Sequence, residues 1–332
     1  MNQISHKRIQ KNNNRLAECV TDLSLTQTAQ QNADVLKGNV TCVAAVAFFS
    51  LGFPAAEILL QSWGTLSLIA VRNALGAILI LLVWLSFEGT RAARNAPWLK
   101  GVWIGALGFG SGSTLLVFTQ SLTDPVVTAL AAATMPVSGV ALEVVLDGRR
   151  LTFWFVLGVV LVLAGGFIAT GINLSDAGFG LGAVIGLLAS ALFAWGSRAT
   201  VKKLPGLSSL GMTTVTSIGM MGFCIAAYCV GVFFETPGTN IPDIDTKSVG
   251  LMIVYSCVAL AVSQVLWIKG VGGLGIGVAS FHLNAAPFYV MLILLAMGGD
   301  WNWQQAIGAA VLATGVIVAQ RRNGKPKAIA TS

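Results

Sequence analysis

The 332 residues are 55% hydrophobic and only 10% charged, with a mean hydropathy of +0.79. Soluble domains carry about 25% charged residues, so this supply cannot cover a water-facing surface. The net charge of +7 is spread along the chain rather than clustered, which argues against a nucleic-acid partner.

Taken in chain order, residues 1–37 are polar, rich in Asn, Gln, Lys and Thr, and lack the apolar core of a signal peptide. They are expected to form a disordered cytoplasmic tail. From Gly38 to Gln320, apolar blocks recur at membrane-spanning length, roughly 20 residues at 1.5 Å each. We place ten spans, near 39–60, 65–86, 101–120, 125–146, 151–172, 179–199, 208–233, 248–269, 275–297 and 302–320, with a short tail at 323–332. The breaks between them are clear, among them Asp147-Gly-Arg-Arg, Lys202-Lys-Leu-Pro-Gly and Gly298-Gly-Asp. Of the five cysteines, Cys19 lies in the tail, while Cys42, Cys224, Cys229 and Cys257 lie inside apolar blocks. None has metal-ligand spacing, and no disulfide framework is expected.

Charge tests the span count independently. An even number of spans puts both ends on one side. All of the 20 basic residues fall on that side except Arg72, within a span, and Lys247, opposite. The opposite loops hold Asp124, Asp176, Glu235, Asp243, Asp245 and Asp300. The positive-inside rule therefore makes both termini cytoplasmic in a cell inner membrane, with the bilayer itself as a partner of the basic loops.

The second half of the chain repeats the first. Setting Pro136 on Pro287 brings Ala129 to Met135 onto Ser280 to Ala286. After a one-residue gap, Gly158 falls on Gly308, Gly165 on Gly315 and Ala169 on Ala319. Five spans per unit is an odd number, so the second copy enters the membrane in the opposite sense. The fold expected is thus an all-α integral membrane protein of ten helices, arranged as two inverted five-helix repeats over 38–173 and 178–322. Secondary transporters commonly use this plan.

Several motifs resemble one family in the same order. Asp147-Gly-Arg-Arg-Leu-Thr followed by Gly158 to Thr170 resembles the loop and fifth helix of an EamA-type unit of the drug/metabolite transporter superfamily. Leu68-Ile-Ala-Val-Arg-Asn-Ala-Leu is similar to its second helix, and Phe118-Thr-Gln-Ser-Leu-Thr-Asp with Pro136 to its third and fourth. Gly298-Gly-Asp-Trp-Asn-Trp-Gln-Gln-Ala-Ile-Gly resembles the matching region of the second copy. Arg149 departs from the family pattern, which often has Glu there; Asp300 takes that place in the second copy. The resemblance spans about 38–322 and implies a ten-helix secondary transporter, often an exporter of amino acids or other small metabolites.

Ionisable groups at membrane depth each need a reason, because insertion costs about 2.5–3.5 kcal/mol. Glu57 in the first span and Arg72 in the second differ in depth by about one turn, so an ion pair between them is geometrically reasonable. Two readings stand: a structural pair pinning two helices, or a site where a cargo carboxylate or a proton competes. His282 is the only histidine within a span. It breaks the repeat symmetry against Ala131, as Asn284 does against Ala133. Its reference pKa near ~6.5 suits a coupling proton, but a bond to a neighbouring helix is the structural alternative. Ser256, Ser263 and Trp267 share one helix face with Gln264 beside it, and with Ser190 and Trp195 of the sixth span they can line a pocket. Glu143, near Asp147 and the basic loop, reads as an interfacial residue. The glycines at 101, 105, 108 and 112, and at 178, 182 and 186, read as helix-packing positions.

Three function classes compete. A secondary transporter leads, carrying a small metabolite without cofactor or metal and driven by a gradient, since no nucleotide-binding motif is present. A non-transporting sensor or scaffold lacks an appended soluble domain. An intramembrane serine enzyme would need Ser111 as nucleophile and His282 as base, with no supporting constellation; no catalytic residue is assigned. A second copy of the chain is admitted as a partner.

Overall fold

The computed structural model describes residues 33–148, 152–170 and 177–319. These residues are helical with no strand among them. Seven helices are long and apolar enough to cross a membrane: α1 (Ala33–Leu60), α2 (Thr65–Arg94), α3 (Trp98–Leu122), α4 (Pro125–Leu146), α6 (Gly180–Lys203), α7 (Ser209–Phe233) and α8 (Thr246–Leu274). Three shorter apolar helices occupy the remaining expected spans: α5 (Phe153–Ala169), α9 (Ser280–Ala296) and α10 (Trp303–Ala319). Large apolar side chains stay exposed around the outside, among them Val40, Leu82, Val160, Val184, Ile253 and Ile307. A helix apolar on its outer face as well as its inner one suits lipid rather than water.

The chain is already helical at Ala33, inside the stretch expected to be tail, while residues 1–32 lie outside the described ones. Helix α2 runs beyond its expected end, but Gly89, at φ 77°, breaks it where the span was expected to stop. The block expected at 275–297 is not one continuous helix. A short helix, Ile276–Ala279, leads into a 3-10 stretch, Ser280–Ala285, and regular helix resumes at Ala286. Pro287 has no N–H to give the carbonyl four residues earlier, and its ring crowds that turn. Pro136 acts likewise in α4, where Thr134 separates Pro125–Ala133 from Met135–Asp147.

Helix ends are satisfied locally. Asp124 caps α4 by accepting from Val126 and Val127 N–H, Ser208 caps α7 through Gly211 N–H, and Asp245 caps α8 through Ser248 N–H. Hydrogen bonds to Ser248 hold the Asp245 carboxyl below its ordinary range. Helix α2 has no side-chain cap. Its first N–H groups are met by a distant loop: Leu66 N donates to the Gly238 carbonyl at 2.8 Å and Gly64 N to the Asn240 carbonyl at 2.8 Å.

Helices α5 and α10 pack through reciprocal glycine contacts. Gly158 faces Ala319 while Gly308 faces Ala169, and Gly165 faces Leu312 while Gly315 faces Val162. A Cβ at any of these glycines would meet backbone, so the close approach requires them. The main core draws on both halves of the chain, with Val46, Leu116, Val126 and Leu130 meeting Leu283, Val290 and Leu312. Two spans carry wide π-helical turns, Gly105–Gly110 in α3 and Val254–Val262 in α8. Such turns leave carbonyls free for other partners and frequently mark functional sites.

Candidate functional site

A cavity of about 570 Å³, its open mouth included, lies between the two halves. Helix α1 supplies Ala45, Val46 and Phe49; α3 supplies Phe109 and Leu116; α4 supplies Ala132 and Met135. Across from these stand Ser190 and Phe193 of α6, then Ser263, Gln264 and Trp267 of α8, with Leu283 at the start of α9. The apolar, aromatic wall suits a small organic molecule. Its polar groups are few but poorly occupied: Gln264 Nε2 and Ser190 Oγ are both buried without a hydrogen-bond partner. Unmade bonds of this kind are costly and want a partner that enters the cavity. Trp267 is fixed instead by donating from Nε1 to Ser197 Oγ at 3.1 Å.

A second cavity, about 270 Å³ with its open mouth included, adjoins the first across Phe49 and Leu116, which wall both. Its other lining residues are Gly52, Phe53, Arg72, Val117, Gln120 and Tyr255. Arg72 is only 5% exposed. Its guanidinium sits 4.2 Å from the centre of the Tyr255 ring. Nε donates to the Tyr255 carbonyl at 3.3 Å and Nη1 to Ser113 Oγ at 3.2 Å. Tyr255 lies in the π-helical segment of α8, where a carbonyl is free to accept. Gln120 donates from Nε2 to the Phe53 carbonyl at 2.7 Å.

The expected residues are therefore only partly gathered. Ser263, Gln264 and Trp267 share the cavity wall with Ser190, as their spacing suggests, whereas Trp195 packs against Gly108 instead. Ser256 turns to its own helix and donates to the Met252 carbonyl at 2.5 Å. Glu57 and Arg72 are not an ion pair: Arg72 makes the contacts above, and Glu57 lies beside Gln120 and towards Asp124. His282 and Asn284 stand on the 3-10 stretch outside both cavity walls; Leu283 between them reaches the cavity. His282 Nδ1 lies 3.1 Å from the Ala279 carbonyl, while Asn284 Oδ1 is buried and unpartnered. Ser111 donates to the Leu107 carbonyl of its own helix rather than to His282. The side chains of Glu143 and Asp147, together with Arg149 and Arg150, lie outside the described residues. Among the described residues no group of three His, Cys, Asp or Glu is placed to hold a metal.

Tyr255, Gln120 and Ser113 were not singled out as site residues from sequence. Gln120 carried little signal, because it stands at the end of its expected span at 101–120. Tyr255 carried none, because the π turn of α8 changes the angular step that periodicity assumes.

Residues 36–171 match the EamA-like transporter family. The chain is similar to a curated protein of Bacillus subtilis (strain 168) named as the uncharacterized transporter YyaM. It is 26% identical over 262 residues, covering 75% of this chain and 82% of that protein. A solved crystal structure shares the fold at a TM-score of 0.61 and 17% identity, over 87% of this chain and 96% of that one. The chain thus combines multiple apolar helices of membrane-spanning length with a stretch, residues 36–171, that is similar to the EamA-like transporter family.

Proposed function

We propose that the chain is a ten-helix secondary transporter of two inverted repeats, and that it exports or exchanges a small metabolite by alternating access. Both termini are cytoplasmic in this reading, and the membrane is a cell inner membrane. The observation that carries it is the 570 Å³ cavity walled by both halves, with Gln264 and Ser190 buried and unpartnered on its surface. A cavity shared between halves opens to one side or the other when one half rocks against its partner.

Three features support the inverted repeat. The α5–α10 contacts are reciprocal, as a two-fold relation requires. The register that sets Pro136 on Pro287 also carries the π segment Val254–Val262 onto Gly105–Gly110. Both prolines interrupt their helices beside the core.

The bundle also has a fastening at each end between α2 and α7 or the loop after it. At one end, the loop at 236–240 grips the start of α2: Ser67 Oγ donates to the Asn240 carbonyl at 2.5 Å, and Asn240 Nδ2 donates to the Ser62 carbonyl at 2.8 Å. At the other, Glu88 accepts from Ser208, the cap of α7, and from Trp84 Nε1 at 2.9 Å. Each access state would keep one fastening and release the other.

The test is a metabolite screen in proteoliposomes, with and without a pH gradient. Wild type should give saturable flux of one cargo class. Gln264→Leu, which keeps the volume but removes the unpartnered amide, should cut that flux to about a tenth or less. No flux for any class from folded protein would refute the transport reading.

A further inference from the structure

We propose that the Arg72 pocket is the anion subsite of the transport cavity, and that the cargo is an amphipathic organic acid bearing one carboxylate. This deepens the transport reading and rests on it. Arg72 carries a full positive charge at membrane depth and is almost wholly buried. Every contact it makes is with a neutral group: the Tyr255 carbonyl and ring, and the Ser113 hydroxyl. No carboxylate of the described residues forms an ion pair with it. A buried charge without a counter-charge is strongly disfavoured unless something supplies one.

The guanidinium has five N–H donors in a planar fork, and the protein uses two of them in hydrogen bonds. It lines a cavity of about 270 Å³ rather than being walled off from one. A carboxylate fits such a fork with two parallel hydrogen bonds. The adjoining larger cavity is aromatic, with Phe49, Phe109, Phe193 and Trp267 on its wall. A molecule with a carboxylate at Arg72 and an apolar body past Phe49 and Leu116 would fill both spaces. One cation balances one negative charge; a dianion would leave a charge unmatched in low dielectric, and a cation would be repelled.

Calorimetry on the full chain in lipid nanodiscs at about pH 7, with empty nanodiscs subtracted, tests this directly. The probes are 3-phenylpropionate, its amide, 3-phenylpropylamine and inorganic phosphate. The acid should bind saturably, with the amide and the amine at least about thirty-fold weaker, the scale of losing one member of a buried charge pair. Arg72→Lys should keep part of the affinity and Arg72→Gln should lose it. Equal binding of acid and amide overturns the proposal, as does unchanged acid binding by Arg72→Gln. Failure of the acid to bind folded wild type, or phosphate binding as tightly as the acid, also overturns it. Competition by oleate at bilayer concentration would assign the carboxylate to a lipid and exclude a soluble cargo. If Arg72→Gln does not fold, the acid, amide and amine series on wild type still decides. Acid bound through Arg72 without any flux would refute transport and leave this site standing. Flux of a neutral or cationic cargo without acid binding would do the reverse.

Discussion

Asp124 joins three parts of the molecule with one carboxylate. Oδ1 accepts from Val126 and Val127 N–H at 2.8 and 2.9 Å, and Oδ2 accepts from Gln305 Nε2 of α10 at 3.2 Å. Burial pushes its pKa above the ordinary carboxylate range, against the opposing pull of the two backbone bonds. The folded state therefore binds this proton more readily than the unfolded chain does. Its stabilising contribution is full below the ordinary carboxylate value and is lost as pH rises through the raised one. Asp124→Asn keeps an acceptor for the cap and removes the charge. It should unfold at a higher temperature than wild type at about pH 8, and that advantage should vanish by about pH 4. Asp124→Ala should lose about 1 kcal/mol at about pH 4, because the cap is gone, and less at about pH 8, where removing the charge offsets part of that loss. Thermal unfolding in detergent across that range checks both variants. At this scale the sequence marked Arg72 as costly but paired it wrongly. A ring and a carbonyl exposed by a π turn leave no trace in residue spacing, whereas a carboxylate at similar depth, Glu57, is easy to notice.

Helix α3 shows what close packing demands of an element. A Cβ on Gly105 would collide with the Thr216 carbonyl of α7, and backbone cannot step aside as a side chain can. Gly105→Ala should therefore separate α3 from α7 and cost about 1–3 kcal/mol, the range for overpacking. Gly222 of α7 has nothing within 4 Å of a Cβ, so Gly222→Ala should be neutral or stabilising by up to about 1 kcal/mol. Thermal unfolding of the two variants side by side separates packing from helix propensity. The apolar blocks were legible because the bilayer imposes one length on every span, and the small-residue spacing in α3 pointed to this packing. The interruptions were less legible. Pro136 and Pro287 were seen as repeat markers, yet the 3-10 turn before Pro287 places Leu283, not His282, at the cavity. On a regular helix residues two apart differ by about 200°, so His282 and Asn284 are not expected to face one cavity together.

Across the whole molecule, the proposed alternating access would join the two end fastenings and the shared cavity in one mechanical unit. Ser208 both caps α7 and donates to Glu88, so Ser208→Ala removes the cap and the fastening together. It should favour opening at that end, while Asn240→Ala, which loses the bond to the Ser62 carbonyl, should favour the other. Both shifts are readable as altered access to the cavity. Halves, orientation and repeat could be argued from charge and Pro136–Pro287 register, because topology is written in loop charge. The cavity's joint ownership by α1, α3, α4, α6 and α8 could not, since it depends on which helices pack together. The measurement that tests the account most directly is two-sided labelling of that cavity. Ala132→Cys, in protein whose five native cysteines are replaced, would be exposed to an impermeant maleimide in right-side-out and inverted vesicles. Alternating access predicts labelling from either side, with Ser208→Ala and Asn240→Ala raising it from opposite sides. Labelling from one side only, under every cargo and gradient condition, would contradict it.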